Sequence, residues 1–188
     1  MSEQEYFTVN HALAINVEAL EAGADFPCFD QFEREIPAPF LVASEFSHLD
    51  LLNDHARSEL KNSDFKHVIE LLDTQNSKLN LLLTFMLSQQ DDQALRFHTS
   101  AFGASQLTYQ AQTALALNSK LRLKLFLDSP AAAIYCYGHV TQCEADNNGY
   151  LITVKYDLLR DSDQDLLIKA ALLQQQKLLR QRSINREK

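Results

Sequence analysis

The order of hydrophobic and polar positions divides the chain into one long helical stretch and several short strands. Residues 47–90 contain no proline or glycine and are rich in helix formers. They predict one long helix, or two helices broken near residues 62–64. Within this stretch, seven positions are separated by alternating steps of four and three residues, and six of them are apolar. These positions are Phe65, Ile69, Leu72, Asn76, Leu79, Leu83 and Met86.

This recurrence is a heptad pattern with one polar member, Asn76. A stripe that repeats every 3.5 residues stays turned toward a partner helix only if the two helices supercoil, and a buried amide then favours one register. We therefore expect the seven residues to form an oligomerisation seam, although a helix packed on its own domain would give a similar pattern. Further apolar residues make the stripe wider than a two-stranded coil needs, so one face could pack on the domain and another on other subunits: Val68, Leu71, Leu81, Leu82, Phe85 and Leu87.

Beyond Asp91-Asp92 the hydrophobic period changes to two, which is typical of strands. Alternating segments near residues 95–99, 107–111, 121–127, 131–143 and 150–156 predict a small antiparallel barrel of five strands, with a turn at Asn148-Gly149. Apolar residues at odd positions from Phe7 to Val17 predict a further strand, and an amphipathic helix closes the chain.

These elements predict an α+β fold within one domain. We expect an acidic N-terminal extension at 1–46, a long oligomerisation helix at 47–92, a β-barrel at 93–160 and a C-terminal helix at 161–188. Residues 1–55 carry 11 acidic side chains and one basic side chain. The extension is thus either a cover over a mildly basic body or a solvated surface. Lys120, Arg122 and Lys124 form a basic stripe on one strand, which could face a phosphate, the acidic extension or water.

Composition and charge exclude several classes of function. The chain has four glycines, too few for a glycine-rich phosphate loop. A net charge of −8 argues against binding a nucleic acid polymer. Three cysteines without a CxxC motif indicate a reducing compartment. The apolar runs are too short for membrane insertion, and the first twenty residues lack the basic charge of a signal peptide. We therefore expect a cytoplasmic protein.

The sequence offers no catalytic constellation, and we expect neither an enzyme nor a bound cofactor. The segment from Gly103 to Leu107 begins like a nucleophile elbow but lacks its final glycine, so Ser105 is interpreted as a barrel-strand residue, with a serine hydrolase as an alternative. A group of two histidines and two aspartates lacks a third close ligand, so we expect no metal site there: His48, Asp50, Asp54 and His55. Cys136 and Cys143 are seven residues apart and would point to opposite faces of an uninterrupted strand.

Several short sequence segments resemble those of the PilZ domain family. They are residues 102–109, which read FGASQLTY, residues 116–125, which read ALNSKLRLKL, and residues 137–143, which read YGHVTQC. The segment 6–17, the phrase EIPAPF at 35–40 and the long helix resemble the atypical, oligomer-forming branch of that family. The resemblance implies a PilZ-like barrel and favours a tetramer.

PilZ domains are receptors for cyclic di-GMP, and their signature is R-x-x-x-R followed by (D/N)-x-S-x-x-G. Here Arg96 has no arginine four residues away, and Ala101, Gly103 and Gln106 stand at the Asp/Asn, Ser and Gly positions of the second motif. Most charge-assisted bonds to the phosphates would be lost. We expect a non-enzymatic adaptor in cyclic di-GMP signalling or motility control, with an unidentified protein partner and no tight cyclic di-GMP binding at the usual site. The alternative is a cyclic di-GMP receptor with a rearranged site that uses Arg96, Arg122 or the C-terminal Arg180 and Arg182.

Overall fold

The computed structural model describes residues 7–46, 49, 65–128 and 131–186. Its strands are β1 Thr8–Asn10, β2 Ala14–Ala19, β3 Arg96–Gly103, β4 Gln106–Ala111, β5 Lys120–Asp128, β6 Ala131–Asp146 and β7 Gly149–Leu158. Its helices are α1 Phe29–Glu35, α2 at 38–46, α3 Lys66–Ser88 and α4 Asp161–Arg186. A 3-10 turn, Gln93–Leu95, leads from α3 into β3.

Six antiparallel strands close the barrel. Their order is β3, β2, β5, β6, β7 and β4, and β4 pairs back with β3. β1 continues along the edge of β3 beyond β2. All five strands predicted between residues 93 and 160 are present. The barrel also takes β2 from the segment that the sequence assigned to an extension, because Ile15 and Val17 place apolar side chains in the core.

The barrel interior is a continuous apolar core. Alternate residues of each strand point inward, which is the physical meaning of the period-two pattern. In β5 these are the four leucines from Leu121 to Leu127, none more than 4% exposed. α4 closes one end of the barrel with Leu166, Leu167, Ala170 and Ala171.

A second core lies on the outer face of β6. It joins α1, α2 and the C-terminal end of α3 to the barrel, and its buried members are Phe32, Ile36, Phe40, Ala43, Leu83, Leu87, Ala133, Tyr135 and Tyr137. β6 is therefore covered on both faces, which explains why its first half is apolar without alternation.

Three expectations need correction. The long helix ends at Ser88 and not at residue 92, because the residues beyond Ser88 turn toward the 3-10 segment. Within the predicted stretch 47–92, residues 47–48 and 50–64 lie outside the described part of the chain. Ser105 lies in the turn between β3 and β4 and not in a strand. Cys136 and Cys143 contact the same core, because the register shifts between Val140 and Gln142 and this bulge reverses the inward and outward positions.

Candidate functional site

The most exposed apolar surface of the described chain lies on α3. Eight large apolar side chains in or next to this helix are between 44% and 71% exposed: Phe65, Val68, Leu71, Leu72, Leu79, Leu81, Leu82 and Phe85. Isolated apolar side chains at a surface are ordinary, but a contiguous row marks an interaction site. The α3 surface is therefore the first candidate functional feature.

The predicted seam does not have a uniform environment along α3. Phe65, the residue before the helix, is 56% exposed, and Leu72 and Leu79 are 48% and 44% exposed. Ile69, Asn76 and Met86 are half-buried, whereas Leu83 is 4% exposed and belongs to the second core. The C-terminal turn of the seam thus packs on the chain's own barrel, and the N-terminal turns remain uncovered.

The second candidate feature is a polar cleft on the outer face of β2 and β5, of about 460 Å³. It is lined by Asn16, Glu18, Glu35, Pro37, Asp92, Leu95, Arg122, Lys124 and Tyr135. Three lining residues are carboxylates and two are cations. The strand register forms this arrangement, since Asn16 pairs with Arg96 on one side and Lys124 on the other, and Glu18 pairs with Arg122.

The basic stripe of β5 contacts the acidic segment that precedes α1. Arg122 Nε donates to Glu18 Oε2 at 2.9 Å, and this hydrogen bond raises the pKa of Arg122. Lys120 Nζ lies 2.8 Å from Asp25 Oδ1 and lowers the pKa of that carboxyl group. Lys124 Nζ donates to the carbonyl oxygen of Gln90 at 3.2 Å. Two of the three cations of the stripe are therefore paired with carboxylates of residues 18–25, and the Asp25 side chain remains 94% exposed.

A carboxylate and two tyrosines connect the cleft to the second core. Tyr137 Oη donates to Glu35 Oε2 at 2.5 Å, and Tyr135 Oη lies 3.2 Å from Tyr137 Oη. Burial, followed by the hydrogen bond to Glu35, raises the pKa of Tyr137. Burial also raises the pKa of Tyr135. Phe32 of α1 stacks on the Tyr135 ring with a centroid separation of 6.1 Å. This network fixes α1 against β6.

The four candidate arginines are not brought together. Arg96 forms an ion pair with Asp91 at 2.5 Å, and Arg122 pairs with Glu18 on the same outer face of the barrel. Arg180 and Arg182 are exposed in the C-terminal half of α4. Sequence inspection did not find the acidic partner of Arg122, because Glu18 is distant from it along the chain, whereas Asp91 lies only five residues before Arg96.

The structure describes only some of the residues that were considered for metal binding or catalysis. They contain no group of three or more His, Cys, Asp or Glu side chains that could hold a metal ion. His48, Asp50, Asp54 and His55 lie outside the described part of the chain. Ser105 contributes its backbone carbonyl oxygen as an acceptor for the Tyr156 N–H at 3.0 Å. Among the described helices, none has the length and hydropathy needed to cross a bilayer.

Comparison with solved structures identifies the architecture. The chain aligns with a tetrameric PilZ domain protein from Xanthomonas campestris, described as self-assembled through an unusual helical bundle, with a TM-score of 0.59. Sequence identity is 10%, and the alignment covers 94% of this chain and 92% of the other. The fold is PilZ-like. The predicted α+β class, with a PilZ-like barrel and a C-terminal helix, is therefore confirmed.

A second solved structure shares the PilZ-like architecture. It is the inhibitor of motility MotI/DgrA from Bacillus subtilis, with a TM-score of 0.50 and 11% identity. The alignment covers 94% of this chain but 53% of the Bacillus protein, so the chain spans about half the length of that neighbour. Neither a protein-family model nor a curated protein sequence matches the chain. The likeness therefore concerns the fold.

Proposed function

We propose that this protein is a non-enzymatic PilZ-like adaptor that self-assembles through α3 and acts in cyclic di-GMP signalling or motility control. In this proposal, assembly presents several barrels to a protein partner. The protein does not bind cyclic di-GMP tightly at the site used by other PilZ domains.

The observation that carries the assembly proposal is the uncovered apolar surface of α3. Fully burying one large apolar side chain stabilises by about 1.5–3 kcal/mol, so half-exposed residues each offer roughly 1 kcal/mol on association. Summed over the eight side chains that are 44–71% exposed, the gain in free energy from burial is comparable with the cost of association, which is about 4–15 kcal/mol. The Xanthomonas neighbour, which is described as a tetramer formed through a helical bundle, supports the same mode of assembly and a tetramer here.

The proposed absence of tight cyclic di-GMP binding is supported by the pairing of two candidate arginines with carboxylates. A dianionic dinucleotide needs arginines that are free to form charge-assisted bonds with its phosphates. Arg96 and Arg122 are instead paired with Asp91 and Glu18. The cleft beside Arg122 has three carboxylates against two cations, which disfavours an anion.

One experiment tests both parts of the proposal. The mass of the full chain is measured by light scattering over a range of protein concentrations, and cyclic di-GMP is titrated calorimetrically into the same sample. We expect an oligomer, a tetramer in particular, and no micromolar binding. The Leu72→Asp and Leu79→Asp double variant should dissociate, whereas Ser77→Asp on the polar face of α3 should not. A monomeric wild-type chain would refute self-assembly, and micromolar cyclic di-GMP binding would refute the second part.

The alternative function is a cyclic di-GMP receptor with a rearranged arginine site. It is favoured by one observation, that Arg96 and Arg122 lie on the same outer barrel face. If this alternative holds, binding will be present in the wild type and lost in the Arg96→Ala and Arg122→Ala double variant. Binding that survives the double variant would exclude a site built on these two residues.

A further inference from the structure

The C-terminal helix α4 is longer than the part of it that closes the barrel. Its buried residues Leu166, Leu167, Ala170 and Ala171 all lie in the first half of the helix. Beyond Ala171 the helix continues to Arg186, which is a length of about 22 Å. In this second half Leu178 packs against the barrel core, and most other residues between 172 and 183 are exposed.

The exposed side of α4 carries a narrow row with a heptad spacing. We call it the α4 row, and its members follow alternating steps of four and three residues: Ile168, Leu172, Gln175, Leu179 and Arg182. The three apolar members are 41%, 46% and 57% exposed in chain order. Successive helix residues are about 100° apart, so Ile168 and Leu172 lie beside the buried face of Leu167 and Ala171 and not on it.

Cations accompany the α4 row, and their charge is not neutralised within the described part of the chain. Lys169 and Arg180 directly follow two members of the row, and Arg182 ends it. None of these three forms an ion pair with another described residue, whereas four other cations pair with carboxylates: Arg96, Lys120, Arg122 and Arg160. The helix dipole favours cations in the last turn, but Lys169 lies more than four turns before Arg186.

The shape and charge of the α4 row identify the class of its occupant. A row that repeats every 3.5 residues packs continuously against another helix. Charged residues beside such a row select a partner helix of opposite charge and disfavour one of the same charge. An interfacial membrane helix needs a wider apolar face than one row of three aliphatic side chains. An acidic helix therefore fits this surface better than a bilayer does.

We propose that the α4 row docks an amphipathic helix of a partner protein, and that acidic side chains flank the apolar row of that helix. Ile168, Leu172 and Leu179 supply the apolar contact, and the cations select acidic over basic helices. This inference names the partner-binding surface of the proposed adaptor. It rests on the adaptor role and not on self-assembly through α3.

The test uses two synthetic helical peptides of about three heptads, with leucine at the heptad positions of both. The flanking positions are all glutamate in one peptide and all lysine in the other. Binding to the full chain is measured by fluorescence anisotropy at low and high salt. We expect micromolar binding of the glutamate peptide, at least about tenfold tighter than that of the lysine peptide. The difference should decrease at high salt, because salt screens exposed charges.

Two double variants of α4 separate the apolar contact from the charge selection. Leu172→Gln with Leu179→Gln should weaken binding of the glutamate peptide about thirtyfold, because two half-exposed leucines lose their burial in the complex. Arg180→Gln with Arg182→Gln should reduce the preference for the glutamate peptide about fivefold. All four side chains are exposed, so the barrel should fold in both variants, and circular dichroism checks this.

Matched controls are exposed residues outside α4. Leu117→Gln changes a leucine that is 61% exposed between β4 and β5, and Lys66→Gln removes an ammonium group whose side chain is 83% exposed on α3. Neither should change the binding of either peptide. The Leu72→Asp and Leu79→Asp double variant of α3 should still bind the glutamate peptide, even where it no longer assembles.

The outcomes separate this inference from the proposed self-assembly. A monomeric chain that binds the glutamate peptide through Leu172 and Leu179 would refute self-assembly and support the α4 row. Binding that is lost in the α3 double variant and retained in the α4 leucine variant would overturn the inference. Equal affinity for both peptides, or no binding of the glutamate peptide, would also overturn it. Sedimentation with phosphatidylglycerol vesicles that depends on the two leucines, without peptide binding, would assign the surface to a membrane instead.

Discussion

Leu83 and Leu79 are neighbouring members of the predicted seam, and the structure gives them different roles. Leu83 is 4% exposed in the second core, so Leu83→Ala should destabilise each subunit by about 2–5 kcal/mol through lost burial and the resulting cavity. Leu79 is 44% exposed in the single chain, so Leu79→Ala should cost the isolated subunit less than about 1 kcal/mol. If Leu79 is buried between subunits, most of its effect will depend on protein concentration.

Urea unfolding at two protein concentrations separates the two effects. Stability that comes from assembly rises with concentration, whereas stability within a subunit does not. With a slope of about 1–3 kcal/mol per molar urea, Leu83→Ala should lower the midpoint by about 1 M or more at both concentrations. Leu79→Ala should lower the midpoint mainly at the higher concentration, where we expect the wild type to be assembled.

Two results would refute this reasoning. A Leu83→Ala loss below about 1 kcal/mol would mean that α3 is not docked on β6 through this side chain. A Leu79→Ala effect that is large and independent of concentration would mean that Leu79 supports the subunit fold and not the interface. The Ser77→Asp variant serves as the control and should change neither value.

Three further predictions follow from buried polar groups and close backbone contacts. Tyr137→Phe removes the hydroxyl that donates to Glu35 and should cost about 1–3 kcal/mol in urea unfolding. The pKa of Tyr137 is raised on folding, so the contribution of this residue to the free energy of unfolding is complete below about pH 10 and decreases as the pH rises further. The variant should lack this part of the loss of stability at alkaline pH. Arg160→Ala leaves the Asp163 carboxylate, which is 0% exposed, without its bidentate partner, and should cost about 3–5 kcal/mol at neutral pH. Burial already raises the pKa of Asp163, so protonation of this carboxylate at low pH should reduce the loss of stability. The difference in the free energy of unfolding between the variant and the wild type should therefore be smaller at pH 5 than at pH 8. Gly103→Ala places a Cβ 2.1 Å from the carbonyl oxygen just before β1 and should lower the thermal midpoint, with protection of β1 amides from hydrogen exchange lost first; an unchanged midpoint would contradict this contact.

The strands could be predicted because each barrel strand has one face in the core. The four leucines from Leu121 to Leu127 occupy every second position of β5 because these positions point into the core, and the outward positions are polar except for Phe126. β6 is buried on both faces along its first half, so its alternation disappears and its partners could not be deduced from period alone. The bulge near Thr141 left no signal in the spacing, so the sequence could place Cys136 and Cys143 only for an uninterrupted strand.

The candidate site was less predictable, because its contacts join segments that are distant along the chain. The heptad pattern of α3 identified a helix with an apolar stripe, but it could not show that Leu83 packs on β6 while Leu82 remains exposed. The excess of acidic residues near the N-terminus indicated a cover as one possibility. The pairing of Glu18 with Arg122 depends on the adjacency of β2 and β5, which only the sheet register provides.

The anchoring of α3 and the pairing of the cations of β5 involve the same face of the barrel. The second core that anchors the end of α3 also contains Tyr135 and Tyr137, which lie beside the basic stripe of β5. Packing α1 over this face brings Glu35 to the hydroxyl groups of Tyr135 and Tyr137, and the register of β2 on β5 pairs Glu18 with Arg122. The Arg122 guanidinium is partly buried, so an unpaired charge there would lose part of its hydration, and the pair with Glu18 offsets this cost. A face arranged in this way holds the helix firmly and leaves few cations for an anionic ligand.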